Sequence, residues 1–290
     1  MSGSAIVGLT LHFRDAARTS ACLHSLLSED VAHVLAWDNS EDGEESAEEL
    51  RRLMAGESRF RLATSGRNLG FAAGVNRGLE ILAAEFPGSP VLLINNDAVL
   101  LQGALGVFQE ALDSYPDAEI LYPDIDHGGW VRGTVYYHRL TGLITDRHLP
   151  GSFPYASGCC LLVNLPKSGA TLFDEDFFMY GEDIELGARL SRRNGAMVHV
   201  PKLLVHHEGS ASSRMGSQFY ETRVVAAQWI IASKLSKRRL DRMMVITLRG
   251  AWLGVRALVR SLRFRSLTPL HALCAGSRLA NELGRSHSAV

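Results

Sequence analysis

The stretch VLLINND, residues 91–97, joins four apolar residues to three side chains that carry amide or carboxylate oxygens. A short apolar run that ends abruptly in polar residues favours a strand buried on both faces, as in a parallel sheet. In an open α/β sheet, ligands bind outside the carboxyl ends of the strands. We therefore expect Asn95, Asn96 and Asp97 at a ligand-binding edge, although the same residue types also form ordinary turns.

Segments on both sides of this stretch alternate between strand-like and helix-like patterns, which predicts an α/β protein with a doubly wound, mostly parallel sheet. Strands are expected at 6–11, 32–37, 60–63, 91–94 and 197–200, and helices at 16–27, 44–54, 72–84, 183–193 and 219–233. Residues 122–154 are rich in Gly, Pro, His and aromatic residues and contain short strand-like runs such as VRGTVYY. This region is expected to form an inserted loop or hairpin that shapes a substrate site.

The composition is that of a globular protein. The chain has 290 residues, of which 46% are hydrophobic, and a formal net charge of -1. These values exclude a wholly basic nucleic-acid-binding protein and a solvated disordered chain. Four cysteines without a disulfide-like spacing favour a reducing cytosol, and neither a secretory signal nor a conventional transmembrane helix is expected.

The near-neutral charge combines two unlike parts. Residues 234–290 contain 12 Lys and Arg against two acidic residues, so this part carries +10 and residues 1–233 carry -11. At about 100° per residue, a helix over 237–265 would align its arginines on one stripe, with apolar residues broadly opposite. The stripe comprises Arg242, Arg249, Arg256, Arg260 and Arg263, and the apolar residues are Met244, Leu248, Val255, Leu258, Val259 and Leu262. The pattern predicts a helix on an anionic membrane surface, or alternatively a helix packed on the body with its arginines in water.

Two further segments suit the carboxyl edge of the sheet. Asp38 and Asn39 follow the second expected strand, where a carboxylate can accept a hydrogen bond from a nucleobase, or where both residues simply form a turn. The Gly-rich segment at 66–78 opens a helix whose N-terminus can face an anion. Its spacing fits neither a dinucleotide-binding fingerprint nor a Walker A loop, and glycines at a helix entry are also common for packing reasons.

Acidic residues and histidines in the second half of the chain provide candidates for catalysis. Glu182 and Asp183 begin an expected helix, where an ionised carboxylate is stabilised and can act as a general base, or can merely cap the helix. His206 and His207 can complete a metal site or contact a phosphate, but their spacing is not that of a zinc protease. Arg223 can meet a phosphate, or it can be an ordinary surface arginine.

Taken in order, six segments resemble the family 2 inverting glycosyltransferases, specifically their bacterial rhamnosyltransferase-like branch. The segments are DNSEDG, NLGFAAGVNRG, LLINNDAVL, YASGCCLLV, FDEDFFMYGEDIELGARLSRRNG and HHEGSAS. The resemblance covers about residues 5–235 and implies a GT-A glycosyltransferase domain over 1–235, followed by a basic amphipathic helical region over 236–290.

The resemblance also implies roles for individual residues. It makes Asp183 the catalytic base with Glu182 beside it, and it places Asp97 with His206 or His207 at a Mg²⁺ or Mn²⁺ ion. Ser157, Gly158 and Cys159 would lie near the sugar and the acceptor. The implied nucleotide-sugar site comprises Asp38, Asn39, Asn68, Gly70, Phe71, Gly74, Asn76, Asn95 and Asn96.

The sequence departs from the family pattern at two places. Asn95 stands where the metal-binding DxD motif has its first Asp, and Phe13-Arg14 stands where the family often has Tyr-Asn. The implied reaction is a single displacement in which Asp183 deprotonates an acceptor hydroxyl that attacks the anomeric carbon of a nucleotide-diphosphate sugar.

The expected donor is dTDP-rhamnose, followed by UDP-galactofuranose and other UDP- or GDP-hexoses. The expected acceptor is a bacterial surface polysaccharide, such as an O-antigen, or a lipid-linked oligosaccharide, and the protein is expected in the cytoplasm at the inner face of the cell membrane. No nucleic-acid partner is expected. A nucleotidyltransferase and a non-catalytic sugar-binding protein stay open as alternatives, since both can use the same sheet.

Overall fold

In a computed structural model of the chain, the described residues are 5–208, 216–236 and 238–286, with side chains described up to residue 283. The last residues of the HHEGSAS segment and Lys237 lie outside them. The strands are β1 (Val7–His12), β2 (Val34–Asp38), β3 (Phe60–Thr64), β4 (Val91–Ile94), β5 (Ala98–Leu100), β6 (Ile120–Asp126), β7 (Val131–Arg132), β8 (Val135–His138), β9 (Ile144–Thr145), β10 (Ser152–Tyr155), β11 (Cys160–Val163) and β12 (Met197–His207). The helices are α1 (Ala16–Ser28), α2 (Glu45–Leu53), α3 (Phe71–Glu85), α4 (Ala104–Ser114), α5 (Leu165–Ser168), α6 (Glu182–Leu190), α7 (Gln218–Leu235), α8 (Arg239–Phe264) and α9 (Thr268–Ser286).

Within the described residues the main sheet has nine strands, and eight of them follow the order β3-β2-β1-β4-β11-β6-β12-β5. Neighbouring strands are parallel from β3 to β4, and β12 is parallel to β6. β11 enters antiparallel between β4 and β6. The predicted α/β class with a mostly parallel sheet is confirmed, and its parallel half gathers the carboxyl ends of β1, β2 and β4 at one edge.

Apolar cores cover both faces of this sheet. Leu23 and Leu26 of α1 and Phe108 of α4 are buried on one face. Leu79 of α3 and Leu186 of α6 are buried on the other. Because β4 and β11 are buried on both faces, their sequences are continuously apolar, and this is why VLLI can be recognised as a strand.

Residues 122–154 contain a second, three-stranded antiparallel sheet in the order β10-β8-β9. The run VRGTVYY does not form one strand. It is interrupted at Gly133 and contributes to two strands, β7 and β8. A side chain at Gly133 would collide with Asp124 Oδ1 and His199 Nε2. This sheet packs against α6 and α7 through Tyr137, Tyr155 and neighbouring apolar residues.

The basic C-terminal segment forms α8 and α9, both of which pack on α7. Gly276 of α9 lies so close to α7 that an added Cβ would be 2.6 Å from Cβ of Val225. The boundary predicted between residues 235 and 236 coincides with the end of α7, but α9 returns to that helix. The division into two domains stays a prediction.

The predicted orientation of the arginine stripe is wrong for three of its five arginines, whereas Arg242 and Arg263 are exposed. Arg249 is fully buried and donates hydrogen bonds to Tyr137 Oη and to Gln228 Oε1. Arg256 and Arg260 form ion pairs with Glu221 of α7, a carboxylate with no exposed surface. These three arginines therefore face the protein body, since α7 and β8 provide buried acceptors that a helix viewed in isolation does not reveal.

Candidate active site

A cavity of about 590 Å³ lies at the carboxyl ends of β1, β2 and β4. Most of the site residues expected from the sequence line it, although they come from six separate segments of the chain. They are Asn39, Asn68, Gly70, Phe71, Asn95, Asn96, Asp97, Ser157, Gly158, Cys159, Glu182, Asp183 and His207. The structure therefore brings together the residues expected to act in catalysis, to bind the donor and to contact the acceptor.

Four expected site residues do not line this cavity. Asp38 accepts a hydrogen bond from the backbone N–H of Ser40, as in the turn alternative. Gly74 packs against Asn39 and Leu11. Asn76 is fully buried, and its amide holds the backbone of Phe173. His206 lies at a 3.0 Å contact between its Nδ1 and Oδ2 of Asp126. Contact of any of these residues with a donor stays a prediction.

Asn39 and Gly70 shape one wall of the cavity. Asn39 Nδ2 donates to the carbonyl of Gly70 at 2.7 Å, and Asn39 Oδ1 accepts from the backbone N–H of Leu69 at 3.1 Å. Gly70 has φ of +82°, and an added Cβ would collide with the carbonyl oxygen of Phe178. The backbone N–H of Phe71 donates to that same carbonyl at 2.6 Å. The Gly-rich segment thus requires glycine here for close contact between two loops.

A row of polar side chains crosses the opposite side of the cavity. β12 pairs with β5 so that His207 lies opposite Ala98, beside Asp97. His207 Nε2 lies 3.0 Å from Asp97 Oδ1, and His207 Nδ1 lies 2.9 Å from His127 Nδ1. Burial and the neighbouring His207 lower the pKa of His127, which favours its neutral form.

The sequence analysis did not find His127. The residue follows directly on β6, and β6 and β12 pair in parallel with Asp126 opposite His206. Only this register places His127 beside His207, and the sequence offers no local signal for such a long-range pairing.

The oxygen atoms near Asp97 are suitable ligands for a divalent cation. Asn95 Oδ1 is buried in this region and has no hydrogen-bond partner among the described residues. No group of three His, Cys, Asp or Glu side chains suited to a metal occurs among the residues that the structure describes. Mg²⁺ characteristically takes one or two carboxylates and completes its shell with substrate phosphates and water. The donor set fits an ion held jointly with a diphosphate.

Glu182 and Asp183 lie in the first turn of α6. The two residues that precede them, Tyr180 and Gly181, form a sharp turn with φ of 67° and 95°. Burial raises the pKa of both carboxyl groups, and the neighbouring Asp183 raises that of Glu182 further. Asp183 Oδ1 accepts from the backbone N–H of Ile184 at 2.8 Å, whereas Glu182 Oε2 is buried without a partner among the described residues. These contacts stabilise the ionised form of Asp183 more than that of Glu182.

A second cavity, of about 340 Å³, adjoins the first and shares Phe13, Asn96 and Asp97 with it. Arg14 and Arg18 line this second cavity at the N-terminus of α1. Arg14 is held at the end of β2 by its backbone N–H, which donates to Ser40 Oγ at 2.8 Å. Arg18 is ion-paired with Asp15 and Glu208, whereas Arg14 brings a guanidinium to the side of the site where Asp97 lies. The sequence analysis noted Arg14 only as a departure from the family pattern.

Arg223 of α7 lies at the rim of the first cavity. Its guanidinium carbon is 4.2 Å from the ring centroid of Phe178 and 5.5 Å from that of Phe219. Both aromatic residues line the cavity. Burial lowers the pKa of Arg223, because it removes water from the charged guanidinium.

Comparison with solved structures shows the same fold in TarS of S. aureus. Residues 1–349 of TarS align with a TM-score of 0.53 and 13% identity, covering 86% of this chain and 70% of that chain. A structure of the same protein in complex with UDP aligns equally well, at 14% identity. The GT-A fold with additional C-terminal helices is confirmed by this likeness.

Comparison with curated proteins gives a relative from Mycobacterium tuberculosis, the N-acetylglucosaminyl-diphospho-decaprenol L-rhamnosyltransferase. It is 30% identical over 223 residues, which are 66% of this chain and 71% of the relative. The family model described as "Glycosyl transferase family 2" matches residues 9–166. This match extends over more than half of the chain and includes the residues from β1 to β11 that form much of the cavity, so the protein belongs to glycosyltransferase family 2 and resembles its rhamnosyltransferases.

Proposed function

We propose that this glycosyltransferase moves L-rhamnose from dTDP-rhamnose to a hydroxyl group of a lipid-linked saccharide, with inversion at the anomeric carbon. The observation that carries the proposal is Asp183, a half-buried carboxylate stabilised by backbone N–H groups in a cavity that also contains Asp97 and His207. The relative named as a rhamnosyltransferase supports the choice of sugar, and its decaprenyl-linked acceptor supports a lipid-linked acceptor.

Asp183 would act as the general base. Its ionised carboxylate accepts the proton of the acceptor hydroxyl while the oxygen attacks the anomeric carbon of the donor. The bond from that carbon to the diphosphate breaks in the same step, and the nucleoside diphosphate leaves with the electron pair. A carboxylate whose pKa is raised by burial is a stronger base than one in water, and it is still ionised at neutral pH when backbone N–H groups stabilise it.

Glu182 would remain protonated beside Asp183. A second negative charge in the same buried turn would oppose ionisation of Asp183, so a neutral Glu182 preserves the function of the base. The neutral carboxyl group can also donate a hydrogen bond to a sugar or acceptor oxygen, because it lines the cavity.

Asp97, with Asn95 and His207 close by, would hold Mg²⁺ or Mn²⁺ together with the donor diphosphate. When bound, such an ion neutralises the charge that develops on the leaving diphosphate. His127 would orient the ring of His207 through the contact between their Nδ1 atoms. Arg14 would add positive charge on the side of the site where Asp97 lies.

Asn39 and the loop at Asn68 and Gly70 would form the wall on which the nucleotide and sugar lie. Ser157, Gly158 and Cys159 lie beside Asp183 and would face the acceptor. Galactofuranose and other hexoses are the alternative sugars, and a surface polysaccharide such as an O-antigen is the alternative acceptor. We place the reaction in the cytoplasm, at the inner face of the cell membrane.

A donor screen tests the choice of nucleotide sugar. Purified protein is incubated with dTDP-rhamnose, UDP-galactofuranose, UDP-glucose and GDP-mannose with Mn²⁺, and thermal shift and release of nucleoside diphosphate are measured. We expect the largest effects with dTDP-rhamnose. A response to UDP-galactofuranose that exceeds the response to dTDP-rhamnose would overturn this choice while leaving the family unchanged.

The substitution Asp183→Asn tests the mechanism. Loss of a general base lowers the rate by about 100- to 10,000-fold, while the thermal shift with donor is expected to persist. Glu185→Gln is the matched control, because Glu185 lies on the same helix but pairs with Arg189 and does not line the cavity. Transfer by Asp183→Asn at the rate of the control would contradict the assignment.

A further inference from the structure

The outward face of α8 is apolar along nearly its whole length. At about 100° per residue, its large residues lie within an arc of about 100°, which places them on one side of the helix. We call them the apolar strip: Leu240, Met244, Leu248, Val255, Leu258, Val259 and Leu262, all of them exposed. Leu240 and Leu262, near the two ends, are 82% and 80% exposed. Thr247 and Ala251, which lie between them on the same face, are exposed and uncharged.

The opposite face fixes the strip in this orientation. Arg249 is buried and its guanidinium also donates to the carbonyl of Arg139, while Arg256 and Arg260 pair with the buried Glu221. Turning α8 over would move these arginines into solvent and leave Glu221 buried without a cation, which is strongly unfavourable. The strip therefore stays at the surface of the folded chain, although exposing so many adjacent apolar side chains to water is unfavourable.

Positive charge surrounds both ends of the strip. Arg238, Arg239 and Arg242 are exposed at the start of α8, and Arg263 and Arg265 are exposed at its end. The one acidic residue of α8, Asp241, forms an ion pair with Arg139 at 2.7 Å. An apolar face bordered by arginines complements the acyl chains and anionic headgroups of a lipid leaflet.

The same charges disfavour a second copy of the chain as the occupant. If two copies of α8 paired through their strips in parallel, equivalent arginines would lie together, and if they paired antiparallel, the arginines of one end would meet those of the other. Like charges repel in both arrangements.

No helix within the described ranges is long and apolar enough to cross a membrane, so the strip would lie in the plane of the leaflet.

The C-terminal half of α8 lies next to the cavity. Arg260 lies over the ring of Tyr220, with its guanidinium carbon 5.6 Å from the centroid, and the Tyr220 ring is 5.1 Å from that of Tyr180. Tyr180 lines the cavity. Contact between the strip and a leaflet would therefore place the cavity close to the membrane surface, where a lipid-linked acceptor resides.

We propose that the apolar strip of α8 inserts into the outer part of an anionic lipid leaflet, with its arginines at both ends bound to headgroups and with Arg249, Arg256 and Arg260 remaining in the protein. The proposal deepens the proposed function, on which it rests for the lipid-linked nature of the acceptor. The strip and the exposed arginines predict binding to lipid vesicles without any acceptor.

The test is co-sedimentation of the full chain with vesicles of equal parts phosphatidylglycerol and phosphatidylcholine. Leu258→Asp with Leu262→Asp places two charges in the strip, and we expect binding to fall by at least about tenfold, because charged residues insert unfavourably. The matched control is Leu53→Asp with Tyr115→Asp, which places the same charges on exposed apolar residues of α2 and beside α4. The control is expected to bind as the unchanged protein does.

Arg239→Gln with Arg263→Gln tests the headgroup contacts. Binding to the mixed vesicles is expected to fall severalfold and to become less sensitive to salt, while weak binding to pure phosphatidylcholine is unchanged. A polarity-sensitive label on Leu258→Cys in a Cys274→Ser background should report an apolar environment only when vesicles are present. Labels at Arg278→Cys on α9 should not respond.

Three results would overturn the proposal. They are equal vesicle binding by the strip variant and its control, no vesicle binding by the unchanged protein, and a lipid-free dimer in light scattering that Leu258→Asp with Leu262→Asp converts to monomer. The last result would assign the strip to a second copy. Thermal shift of the unchanged protein with dTDP and UDP separates the two proposals. Absence of a shift with either nucleotide would contradict the proposed transferase mechanism, whereas vesicle binding by the strip would not depend on that result.

Discussion

The cavity at the sheet edge and the helix α8 place charge and apolar surface in opposite ways. Around the cavity, apolar strands are buried and the polar residues that follow them, such as Asp97 and Asn39, face a space open to ligands. In α8, the arginines Arg249, Arg256 and Arg260 are turned into the protein and leucines such as Leu258 face outward. The difference shows that the surroundings of a helix decide which of its faces is buried.

Glu221 explains much of this difference. A fully buried carboxylate on α7 would be very unfavourable without cations, and Arg256 and Arg260 provide two of them. The polar groups of the cavity, by contrast, are held chiefly by backbone groups, such as the N–H of Ile184 at Asp183 and the carbonyl of Gly70 at Asn39. The helical region therefore depends on buried ion pairs, whereas these cavity residues depend on hydrogen bonds to backbone groups.

The largest expected effect comes from breaking the ion pairs of α8. Glu221→Gln leaves two arginines in a largely buried position without a carboxylate, and we expect the free energy of unfolding to fall by about 3–5 kcal/mol. Urea denaturation measures the change. Glu44→Gln is the control, because the pair of Glu44 with Arg51 is exposed and its loss is expected to cost less than about 1 kcal/mol. Equal effects for the two substitutions would show that Glu221 does not fasten α8 to the body.

A smaller effect is expected from changing the local turn at the cavity wall. Gly70 has φ of +82° and ψ of 177°, a backbone conformation nearly restricted to glycine, and its Cβ position is occupied by the backbone of Phe178. Gly70→Ala is expected to destabilise the protein by about 3 kcal/mol and to weaken donor binding.

The matched control is Gly66→Ala, where φ is also positive but no atom lies within 4 Å of the Cβ position. Backbone strain alone predicts that this substitution lowers the free energy of unfolding by about 1 kcal/mol. Thermal unfolding of both variants separates the contribution of strain from that of the collision, and identical melting temperatures would exclude the collision with Phe178 as a determinant.

The smallest effect is expected on the rate of transfer when the pH is lowered by one unit. Asp183 must be ionised to accept a proton, and burial raises its pKa above the usual range for aspartate. The rate at saturating donor and acceptor should therefore fall about tenfold per pH unit below this raised pKa, so that activity declines at less acidic pH than an exposed aspartate would allow. A decline confined to the normal pH range of aspartate would indicate that Asp183 is not the base.

The sequence predicted strands at the positions of β1 to β4 and at the start of β12, but it did not identify β5, β6 or β11 as strands. The expected strand at 91–94 agrees with β4, and the expected helix at 72–84 agrees with α3 within one residue at each end. These elements have strong local signals, because a buried strand is continuously apolar and a helix entry is marked by glycine. The run at 131–137 was less predictable, since its break at Gly133 depends on Asp124 and His199 from distant strands.

The sequence by itself determined the α/β class, the family and the residues that follow the strands, because the apolar periodicity and the motifs are local and occur in order along the chain. Only the tertiary structure decided which residues meet. Register placed His127 beside His207, packing turned Asn76 away from the cavity, and the buried Glu221 and Tyr137 turned the arginines of α8 inward. Contacts between residues far apart in the chain depend on the whole fold, since a periodic pattern shows that a helix has two faces but not which neighbour each face will meet.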